Sequence, residues 1–313
     1  MYAIEVQKVQ KLYKNGVQAL NGLNLNVKTG EIFSLLGQNG AGKSTLISIL
    51  TTYLKLNSGK ITMLGKDIGK DSEEIRSAIA CVAQRVSMDT HLSLKENMMF
   101  QAGLYKIPKS EARQRMSMLI EEFELNPYLK YPVLSYSGGI KRRLDIALNM
   151  MSNPKILFLD EPTVGMDIQS RMTMGKMMRK IRDDFGMTIF FTTHYLEEAD
   201  NLSDTICIIK DGKEIVQGTP FELRKYIRQD AIKIQFSNNE QAKTALSVLT
   251  EHFTPLMCTL HNDSILIDTN SSQRDFIKVN EFLLKSQISF QGIEITEPTL
   301  EDVFLRLTEK RED

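Results

Sequence analysis

Nine consecutive residues constrain the fold of this 313-residue chain more than any other feature. They are Gly37, Gln38, Asn39, Gly40, Ala41, Gly42, Lys43, Ser44 and Thr45, and the first eight match the pattern G-x-x-x-x-G-K-[ST]. The apolar run before them, residues 31–36, predicts a buried strand, and residues 46–54 predict a helix. A strand, a glycine-rich loop and a helix N-terminus together form a phosphate-binding P-loop. The sequence therefore predicts an α/β core that binds a nucleoside triphosphate.

The chemistry of such a loop follows from its residue types. Glycines let successive backbone N–H groups face the phosphates, and the helix dipole favours negative charge at the same place. Lys43 is expected to reach the β- and γ-phosphates, and the Ser44 hydroxyl is expected to ligate Mg²⁺. The alternative is a glycine-rich turn that binds nothing. Chance would produce the pattern in roughly one chain in a hundred of this length, which favours the P-loop.

Composition excludes several classes of protein. With 42% hydrophobic and 25% charged residues, the sequence is typical of a soluble globular protein with room for two domains. Lys+Arg and Asp+Glu both number 39, and this balance argues against non-specific nucleic-acid binding. The three cysteines are far apart, so we interpret them as core residues in a reducing compartment. The sequence has neither the basic-then-apolar arrangement of a signal peptide nor an apolar run long enough to span a membrane. These features predict a cytoplasmic protein.

The pattern of apolar residues predicts an α/β frame with a helical insertion. Short strands are expected at 3–9, 23–28, 61–64 and 79–83, and a helical pattern runs from 94 to about 151. Strands and helices then alternate at 156–159, 171–185, 188–192, 196–202 and 205–209. This alternation indicates a parallel sheet with crossover helices. Asp211 and Gly212 are expected to form a tight hairpin turn.

The remaining residues predict a second domain. A capping box at 219–222 should start a helix that ends near Arg228. We place a nucleotide-binding domain at 1–228, with a helical subdomain at about 94–151, and an accessory domain at 229–313. Strands at 231–236, 255–260, 264–268 and 288–295 and helices at 240–252 and 273–285 give the order βαββαβ, which is that of a small ferredoxin-like α+β domain. A last helix, capped at Thr296 or Thr299, should end near residue 309.

Two carboxylates form the second candidate site. The apolar strand at 156–159 delivers Asp160 and Glu161 at its C-terminal end, where open α/β sheets bind ligands. One carboxylate there can hold Mg²⁺ through water, and the next can polarise an attacking water. An apolar strand that ends in Asp-Glu is common by itself. Its position well after a P-loop, together with the following Pro162 and Thr163, makes the motif specific.

A third motif completes a family pattern. Ser137, in the run Tyr-Ser-Gly-Gly at 136–139, could simply cap a helix through 142–151. The order of the motifs, however, resembles the ATP-binding subunits of ABC transporters over roughly residues 3 to 225. This order consists of the P-loop, Gln84, Tyr136-Ser137-Gly138-Gly139, Asp160-Glu161, Gly165-Met166-Asp167 and His194. The resemblance implies a P-loop NTPase core with an antiparallel β subdomain and a helical subdomain.

The resemblance also implies a role for individual residues toward ATP and Mg²⁺. Tyr13 would stack on adenine, and Gln84 would bind Mg²⁺, beside Ser44 and Asp160, and would sense a membrane partner. Ser137, Gly138 and Gly139 would cover the γ-phosphate of ATP held by the opposite subunit. Asp167 would lie at the dimer seam. Lys43, Glu161 and His194 would carry catalysis, with His194 contacting the γ-phosphate or holding the attacking water.

Two departures and two further similarities refine this expectation. The family signature usually begins with Leu and ends in Gln, where this chain has Tyr136 and Ile140. The Ser hydroxyl and glycine backbone bind the anion, so we expect ATP sandwiching to survive. The run at 136–145 and the ending Glu-Pro-Thr-Leu-Glu-Asp-Val-Phe at 297–304 are similar to the daunorubicin-resistance branch and to ATPases of type-2 ABC exporters. This similarity implies export of a drug, antibiotic, toxin or lipid-like compound.

The implied partners are a polytopic membrane permease and a second ATPase subunit, either a copy of this chain or a different one, and no nucleic acid. The protein would then lie on the inner face of the cell membrane through its permease. Ser137-Gly138-Gly139 and His194 argue against kinases and GTPases, and long heptad repeats and a second ATPase domain are not found in the sequence. A non-transport regulatory ABC ATPase is the remaining alternative. We expect the accessory domain to stabilise the dimer or regulate the permease contact.

Overall fold

The computed structural model describes residues 1–84, 87–226, 230–253, 258–269, 272–296 and 299–308. The chain divides into two compact units, Met1–Pro220 and Phe221–Asp313. The predicted boundary between residues 228 and 229 lies next to Arg228, outside the described residues. Within the described residues, helices that combine enough length and apolar character to cross a membrane are not found.

The first unit contains two sheets and a group of helices. Its strands are β1 (Tyr2–Leu12), β2 (Gln18–Lys28), β3 (Ile32–Leu36), β4 (Ser58–Met63), β5 (Lys66–Asp67), β6 (Ile79–Val82), β7 (Ile156–Leu159), β8 (Thr188–Thr193), β9 (Thr205–Lys210) and β10 (Lys213–Gly218). Its helices are α1 (Lys43–Leu50), α2 (Ser72–Ser77), α3 (Leu94–Leu104), α4 (Lys109–Glu122), α5 (Gly138–Met150), α6 (Ile168–Phe185) and α7 (Leu196–Leu202). Helix α8 (Pro220–Tyr226) begins at the predicted capping box, at the last residue of the first unit, and continues in the second.

An antiparallel sheet has the strand order β2-β1-β4-β5. Strands β1 and β2 are longer than predicted because their pairing continues to Leu12 opposite Gln18, next to the turn that joins them. In β2, buried Leu23, Leu25 and Val27 alternate with exposed asparagines, which is the period-2 pattern of a sheet with one buried face. This confirms the predicted antiparallel β subdomain.

The second sheet has the order β10-β9-β3-β8-β7-β6. Strands β6, β7, β8, β3 and β9 pair in parallel, and β10 joins the edge antiparallel. Every residue of β3, β7 and β8 is buried, as expected for parallel strands covered on both faces. The predicted hairpin turn lies between β9 and β10, where Asp211 and Gly212 have φ values of 51° and 71°. Because the strands are parallel, the carboxyl ends of β3, β7 and β8 meet at one edge.

The helical insertion is not continuous. Pro108 precedes α4 as its N-cap residue, and Pro127 lies in a 3₁₀ turn, Asn126–Tyr128, because proline cannot continue an interior helical hydrogen-bond ladder. A second 3₁₀ turn, Val133–Ser135, leads into α5. Phe123, Tyr136 and Leu144 are buried in one cluster that extends onto β7. The insertion therefore belongs to the same core as the parallel sheet.

The second unit has the predicted βαββαβ order. Its elements are β11 (Asp230–Gln235), α9 (Asn239–His252), β12 (Cys258–His261), β13 (Ser264–Thr269), α10 (Ser272–Lys285), β14 (Gly292–Thr296) and a last helix, α11 (Leu300–Thr308). The sheet is antiparallel with the order β12-β13-β11-β14. Buried isoleucines of β11 and β13 pack against Leu249 of α9 and Val279 and Leu283 of α10. The ferredoxin-like prediction is confirmed.

One predicted boundary in this unit is wrong. The strand predicted at 288–295 begins at Gly292, because its partner β11 ends at Gln235, opposite Gly292. The strand predicted at 255–260 corresponds to β12 (Cys258–His261), and its predicted start at 255 lies outside the described residues and stays a prediction. Of the two predicted caps for the last helix, Thr299 is the one observed, since its hydroxyl accepts a hydrogen bond from the Asp302 N–H at 3.2 Å.

Candidate functional site

The P-loop connects the buried strand β3 to helix α1. Two glycines are required by its geometry. Gly42, the N-cap residue of α1, has a φ of 106°, and a Cβ added there would lie 2.5 Å from the Ala19 carbonyl oxygen. A Cβ on Gly37 would lie 2.5 Å from the Ile209 carbonyl oxygen. The loop can therefore lie against β2 and β9 only because both positions lack a side chain.

Lys43 occupies the inside of this loop and is only 5% exposed. Its ammonium donates to the carbonyl oxygens of Gly37 at 2.8 Å and Gln38 at 3.1 Å. The Lys43 Nζ also lies 3.4 Å from Glu161 Oε1. A buried charge needs such partners. The loop thus holds a positive charge at the N-terminus of α1, where the helix dipole also favours an anion.

Asp160 and Glu161 follow β7 and are held by a residue of the neighbouring strand. The Thr192 hydroxyl donates to Asp160 Oδ1 at 2.6 Å and accepts the Glu161 backbone N–H at 2.9 Å. The Ser44 hydroxyl lies 3.3 Å from the same Asp160 oxygen. Asp160 therefore lies between the P-loop helix and β8. Sequence reasoning missed Thr192, which in the sequence is only the last residue of a predicted apolar strand, two residues before His194.

Glu161 has an unusual backbone conformation. Its φ is 45°, in the left-handed region that a residue with a side chain avoids at a cost of about 1 kcal/mol or more. This conformation carries its carboxylate to within 3.4 Å of both Lys43 Nζ and His194 Nδ1. The structure therefore brings together the three residues that sequence reasoning named as catalytic. A carboxylate, an ammonium and an imidazole in contact can orient a water and neutralise developing negative charge.

Tyr13 and Gln84 lie near the ends of this site. The Tyr13 hydroxyl lies 3.2 Å from Thr45 Oγ1 of α1, the side chain is 37% exposed, and Lys11 Nζ lies 5.6 Å from the centre of the ring. Gln84 is exposed and lies two residues after the end of β6, and the two residues after it lie outside the described ranges. Both positions are compatible with ligand contact, and their roles stay predictions.

Ser137, Gly138 and Gly139 form the start of α5. The Ser137 hydroxyl accepts a hydrogen bond from the Ile140 N–H at 3.4 Å. The two departures from the usual signature are core residues, because Ile140 is 7% exposed and the buried Tyr136 donates its hydroxyl to the Tyr128 carbonyl at 2.7 Å. Both differences therefore concern packing of the helical insertion, and the exposed Ser-Gly face is left unchanged.

A groove of about 280 Å³ separates the start of α5 from the start of α6. Asp167 lies on its other side as the N-cap of α6 and accepts hydrogen bonds from the Ser170 N–H at 2.8 Å and the Ser170 hydroxyl at 2.7 Å. The backbone N–H and hydroxyl of Ser170 hold the pKa of Asp167 below its usual value. Among the described residues, no hydrogen bond joins this groove to the P-loop. The site residues therefore fall into two groups, one around Lys43 and one around Ser137.

Glu198 of α7 is a second residue that sequence reasoning missed. Its carboxylate accepts a hydrogen bond from the Thr193 hydroxyl at 2.5 Å, and that hydroxyl also accepts the Tyr195 N–H at 3.0 Å. Burial raises the pKa of Glu198, and the hydroxyls of Thr193 and Thr163 oppose this shift. Glu198 thereby fixes the backbone on both sides of His194.

Comparisons with known proteins show which family the chain is similar to. The family model described as "ABC transporter" matches residues 20–164. The chain is 34% identical to the daunorubicin/doxorubicin resistance ATP-binding protein DrrA of Streptomyces peucetius, over 98% of this chain and 92% of the relative. It is 33% identical to the linearmycin resistance ATP-binding protein LnrL of Bacillus subtilis, over 97% and 98%. It is 31% identical to the Nod factor export ATP-binding protein I of Ralstonia nicotianae, over 97% and 93%.

The chain belongs to the ABC transporter family of ATP-binding proteins. It is therefore an ABC ATPase, an enzyme that binds and hydrolyses ATP. These relatives align with nearly the whole chain, so the similarity includes the ferredoxin-like unit of the ABC ATPase.

Solved structures support the same fold. The structure of cbiO1 from Clostridium perfringens, part of the ABC transporter complex cbiONQ, matches with a TM-score of 0.68 and 31% identity, over 72% of this chain and 93% of that one. An ATP-binding cassette in a dimeric post-hydrolysis state, bound to ADP and Pi, matches with a TM-score of 0.61 and 27% identity, over 69% and 98%. The P-loop NTPase core predicted for this ABC ATPase is confirmed.

Proposed function

We propose that this ABC ATPase is the energy-supplying subunit of an exporter and that it works as a head-to-tail pair with two ATP molecules at the interface. The observation that carries the proposal is the division of the site into two groups. Lys43, Glu161 and His194 form one group at the sheet edge, and Ser137 and Asp167 flank a separate groove. Two chains in head-to-tail contact would place the Ser137 group of one against the Lys43 group of the other.

The hydrolytic step is assigned to the sheet-edge group. Glu161 polarises the attacking water, and Lys43 neutralises charge that develops on the γ-phosphoryl group. His194, in contact with the Glu161 carboxylate, orients that group or the water. The backbone N–H groups of Ser137, Gly138 and Gly139 supply a second anion site to the ATP of the opposite chain. Phosphoryl transfer depends mainly on positioning and electrostatics, which these groups provide.

The residues around Asp160 fit a magnesium ion. The Ser44 hydroxyl and the Asp160 carboxylate present two oxygens 3.3 Å apart beside the P-loop. Mg²⁺ prefers oxygen ligands and is usually held by one or two carboxylates together with substrate phosphates. We assign Ser44, Asp160 and Gln84 to Mg²⁺, which would neutralise phosphate charge when bound.

The remaining assignments concern ligand contact and assembly. Tyr13 stacks on adenine through its exposed ring, and Asp167 lies at the dimer seam. The partners are a polytopic permease and a second ATPase subunit, either identical or different. The ABC ATPase then lies at the inner face of the membrane through its permease. We assign the accessory domain, predicted at 229–313, to dimer stability or permease regulation.

The cargo is inferred from relatives. The similar proteins are named for daunorubicin/doxorubicin resistance, linearmycin resistance and Nod factor export, over nearly their full lengths. A drug, an antibiotic, a toxin or a lipid-like compound is therefore the proposed cargo. Deletion of the ABC ATPase should raise cellular accumulation of the cargo, and a fall in accumulation on deletion would instead indicate an importer.

Dimer closure is tested with Glu161→Gln. This variant should bind ATP and Mg²⁺ but hydrolyse ATP slowly, so that a closed dimer accumulates and is detected by size-exclusion chromatography. Adding Ser137→Arg to Glu161→Gln fills the groove beside Asp167 and should return the chain to a monomer. A Glu161→Gln variant that stays monomeric at high protein concentration would contradict closure of the isolated chain. Co-purification of a polytopic protein from membranes would distinguish a transporter subunit from a regulatory ATPase.

A further inference from the structure

A buried ion pair on α5 lies outside the groups described so far. Arg142 is 4% exposed and Asp145 is 1% exposed, and their charged groups approach to 3.7 Å between Nη1 and Oδ2. Burial lowers the pKa of Arg142 and raises that of Asp145. Replacing such a pair by apolar residues of similar volume is often neutral or stabilising. Stability alone therefore does not account for two charges at this position.

Arg142 is bonded to the ends of two strands. Its Nη1 donates to the Ala83 carbonyl, which directly precedes Gln84, and its Nη2 donates to the Asp160 carbonyl at 3.3 Å. The bond from the Asp160 N–H to the Val82 carbonyl, at 3.0 Å, lies at the end of the β6–β7 ladder. The carbonyls of Ala83 and Asp160 lie beyond the last pair of this ladder. The planar guanidinium of Arg142 donates a hydrogen bond to each of them.

Asp145 is bonded to the other side of Gln84. Its Oδ1 accepts a hydrogen bond from the Ser87 hydroxyl at 2.9 Å. Ala83 precedes Gln84 in the chain and Ser87 follows it three residues later, and each is bonded to one member of the same ion pair. The pair belongs to the helix that begins just after Ser137, so one rigid element carries the anion-binding start and both contacts to the Gln84 segment.

We infer that Arg142 and Asp145 are positioning residues that fix Gln84 relative to the Mg²⁺ site and to the start of α5. The inference rests on the proposed function, in which Gln84 contacts Mg²⁺ beside ATP. Neither residue of the pair contacts nucleotide in this scheme. Arg142 is anchored at the Asp160 carbonyl and holds the Ala83 carbonyl, and Asp145 holds Ser87, so the exposed Gln84 side chain starts from a fixed backbone.

The test measures how much Mg²⁺ improves ATP affinity, using isothermal titration calorimetry on the full chain carrying Glu161→Gln to prevent turnover. Arg142→Gln should reduce the Mg²⁺-dependent gain in affinity by about 10-fold, the usual lower effect of losing a residue that supports a metal ligand. ATP affinity without Mg²⁺ should not change, and Arg142→Lys should recover part of the gain. Equal losses with and without Mg²⁺ would overturn the inference.

Arg115 provides a matched control. It also donates to a main-chain carbonyl, that of Met151, and pairs with Glu111, but it makes no contact with Ala83, Ser87 or Asp160 among the described residues. Arg115→Gln should leave the Mg²⁺-dependent gain at its wild-type value. A loss equal to that of Arg142→Gln would mean that the effect is a general loosening of the helical insertion, and the positioning role would be refuted.

A double-mutant cycle separates this inference from the proposed function. Gln84→Ala alone should reduce the Mg²⁺-dependent gain in ATP affinity. If Gln84→Ala has no effect on this gain, the Mg²⁺ role proposed for Gln84 itself is contradicted. When Gln84→Ala does reduce the gain, Arg142→Gln should have little further effect in that background. Fully additive losses would show that Arg142 does not act through Gln84.

A single substitution in the pair leaves an unpaired buried charge, which can prevent folding. The double variant Arg142→Met with Asp145→Leu avoids this, because it removes both charges together. It should melt like the wild type in circular dichroism and still lose the Mg²⁺-dependent gain. A folded double variant with the wild-type gain would refute the inference.

Discussion

Removing the Thr192 hydroxyl should separate catalysis from nucleotide binding. Thr192 is fully buried, and Thr192→Val preserves its shape while deleting the bonds to Asp160 and to the Glu161 N–H. A hydrogen bond to a charged group contributes about 1.5–3 kcal/mol, and a buried N–H without a partner costs about 1–3 kcal/mol. Because Ser44 still contacts Asp160, we expect a loss of about 3 kcal/mol in the free energy of unfolding, measured by circular dichroism in urea.

The effect on catalysis follows from the backbone of Glu161. Its left-handed conformation is held by the bond to Thr192, so the variant allows the carboxylate to move away from Lys43 and His194. Misplacement of a reacting group by about 1 Å can lower the rate about 100-fold, so kcat for ATP hydrolysis should fall by about 10- to 100-fold. ATP affinity measured without Mg²⁺ should change little, because the contacts of Lys43 to the P-loop carbonyls are retained.

Thr188→Val is the matched control, since Thr188 lies in the same strand, is equally buried and accepts the Gly30 N–H at 2.9 Å at the other end of β8. It should lose about 1 kcal/mol of stability, the typical value of a neutral hydrogen bond, with an unchanged kcat. Equal effects of the two variants on kcat would refute the role given to Thr192. Unchanged kcat in Thr192→Val would refute it as well.

Three further outcomes are expected. Lys43→Ala should weaken ATP binding roughly 10- to 100-fold, measured by titration calorimetry, because charge-assisted hydrogen bonds are lost. His194→Ala should mainly lower kcat. Equal losses of ATP affinity in the two variants would contradict this division of roles. Gly42→Ala should lower the melting temperature and ATP affinity together, because its φ of 106° and the contact at 2.5 Å with Ala19 both oppose a Cβ. Burial raises the pKa of Glu198 above 4.5, so the folded state holds its proton to higher pH than the unfolded state, and stability should fall as the pH rises above about 4.5. Glu198→Gln should flatten that dependence in urea titrations at several pH values.

The P-loop, the strand order along the chain and the βαββαβ unit could be predicted because their signals are local. A glycine pattern, a period of apolar residues and a turn such as Asp211-Gly212 each lie within a short segment. The strand predicted at 288–295 was too long because its start depends on a partner. An apolar run cannot show that β11 ends at Gln235, which stands opposite Gly292.

Thr192 could not be identified for the same reason. In sequence it is one more β-branched residue of an apolar strand. Its importance comes from the register of β7 with β8, which pairs Leu159 with Phe191 and so places Asp160 beside Thr192. The signal that determines this contact is spread over two segments that are distant in the chain.

Arg142 shows how a charge run can mislead. The run Lys141-Arg142-Arg143 would usually indicate a solvent-exposed helix face. Lys141 and Arg143 are indeed half-buried, whereas Arg142 is buried. Arg142, Asp145 and Asn149 are three and four residues apart, so they share one face of α5, and all three are buried. That spacing is a helical stripe of polar residues where a hydrophobic stripe is normal. The stripe marks buried polar side chains, of which Arg142 binds main-chain carbonyls of neighbouring strand ends and Asp145 binds the Ser87 hydroxyl.

The position of this polar stripe links movement at the start of α5 to the residues around Gln84. Its start carries Ser137, which the proposed function assigns to the ATP of the opposite chain, and its buried face holds Ala83, Ser87 and the Asp160 carbonyl. A helix shifts as a rigid element, so displacement of its start by a phosphate group would move these contacts together. When Ser137 of one chain contacts the ATP of the opposite chain, Gln84 of the chain that carries Ser137 would then shift. Loss of the buried pair should therefore weaken ATP-induced dimerisation of Glu161→Gln as well as Mg²⁺-dependent affinity, because both depend on the same helix.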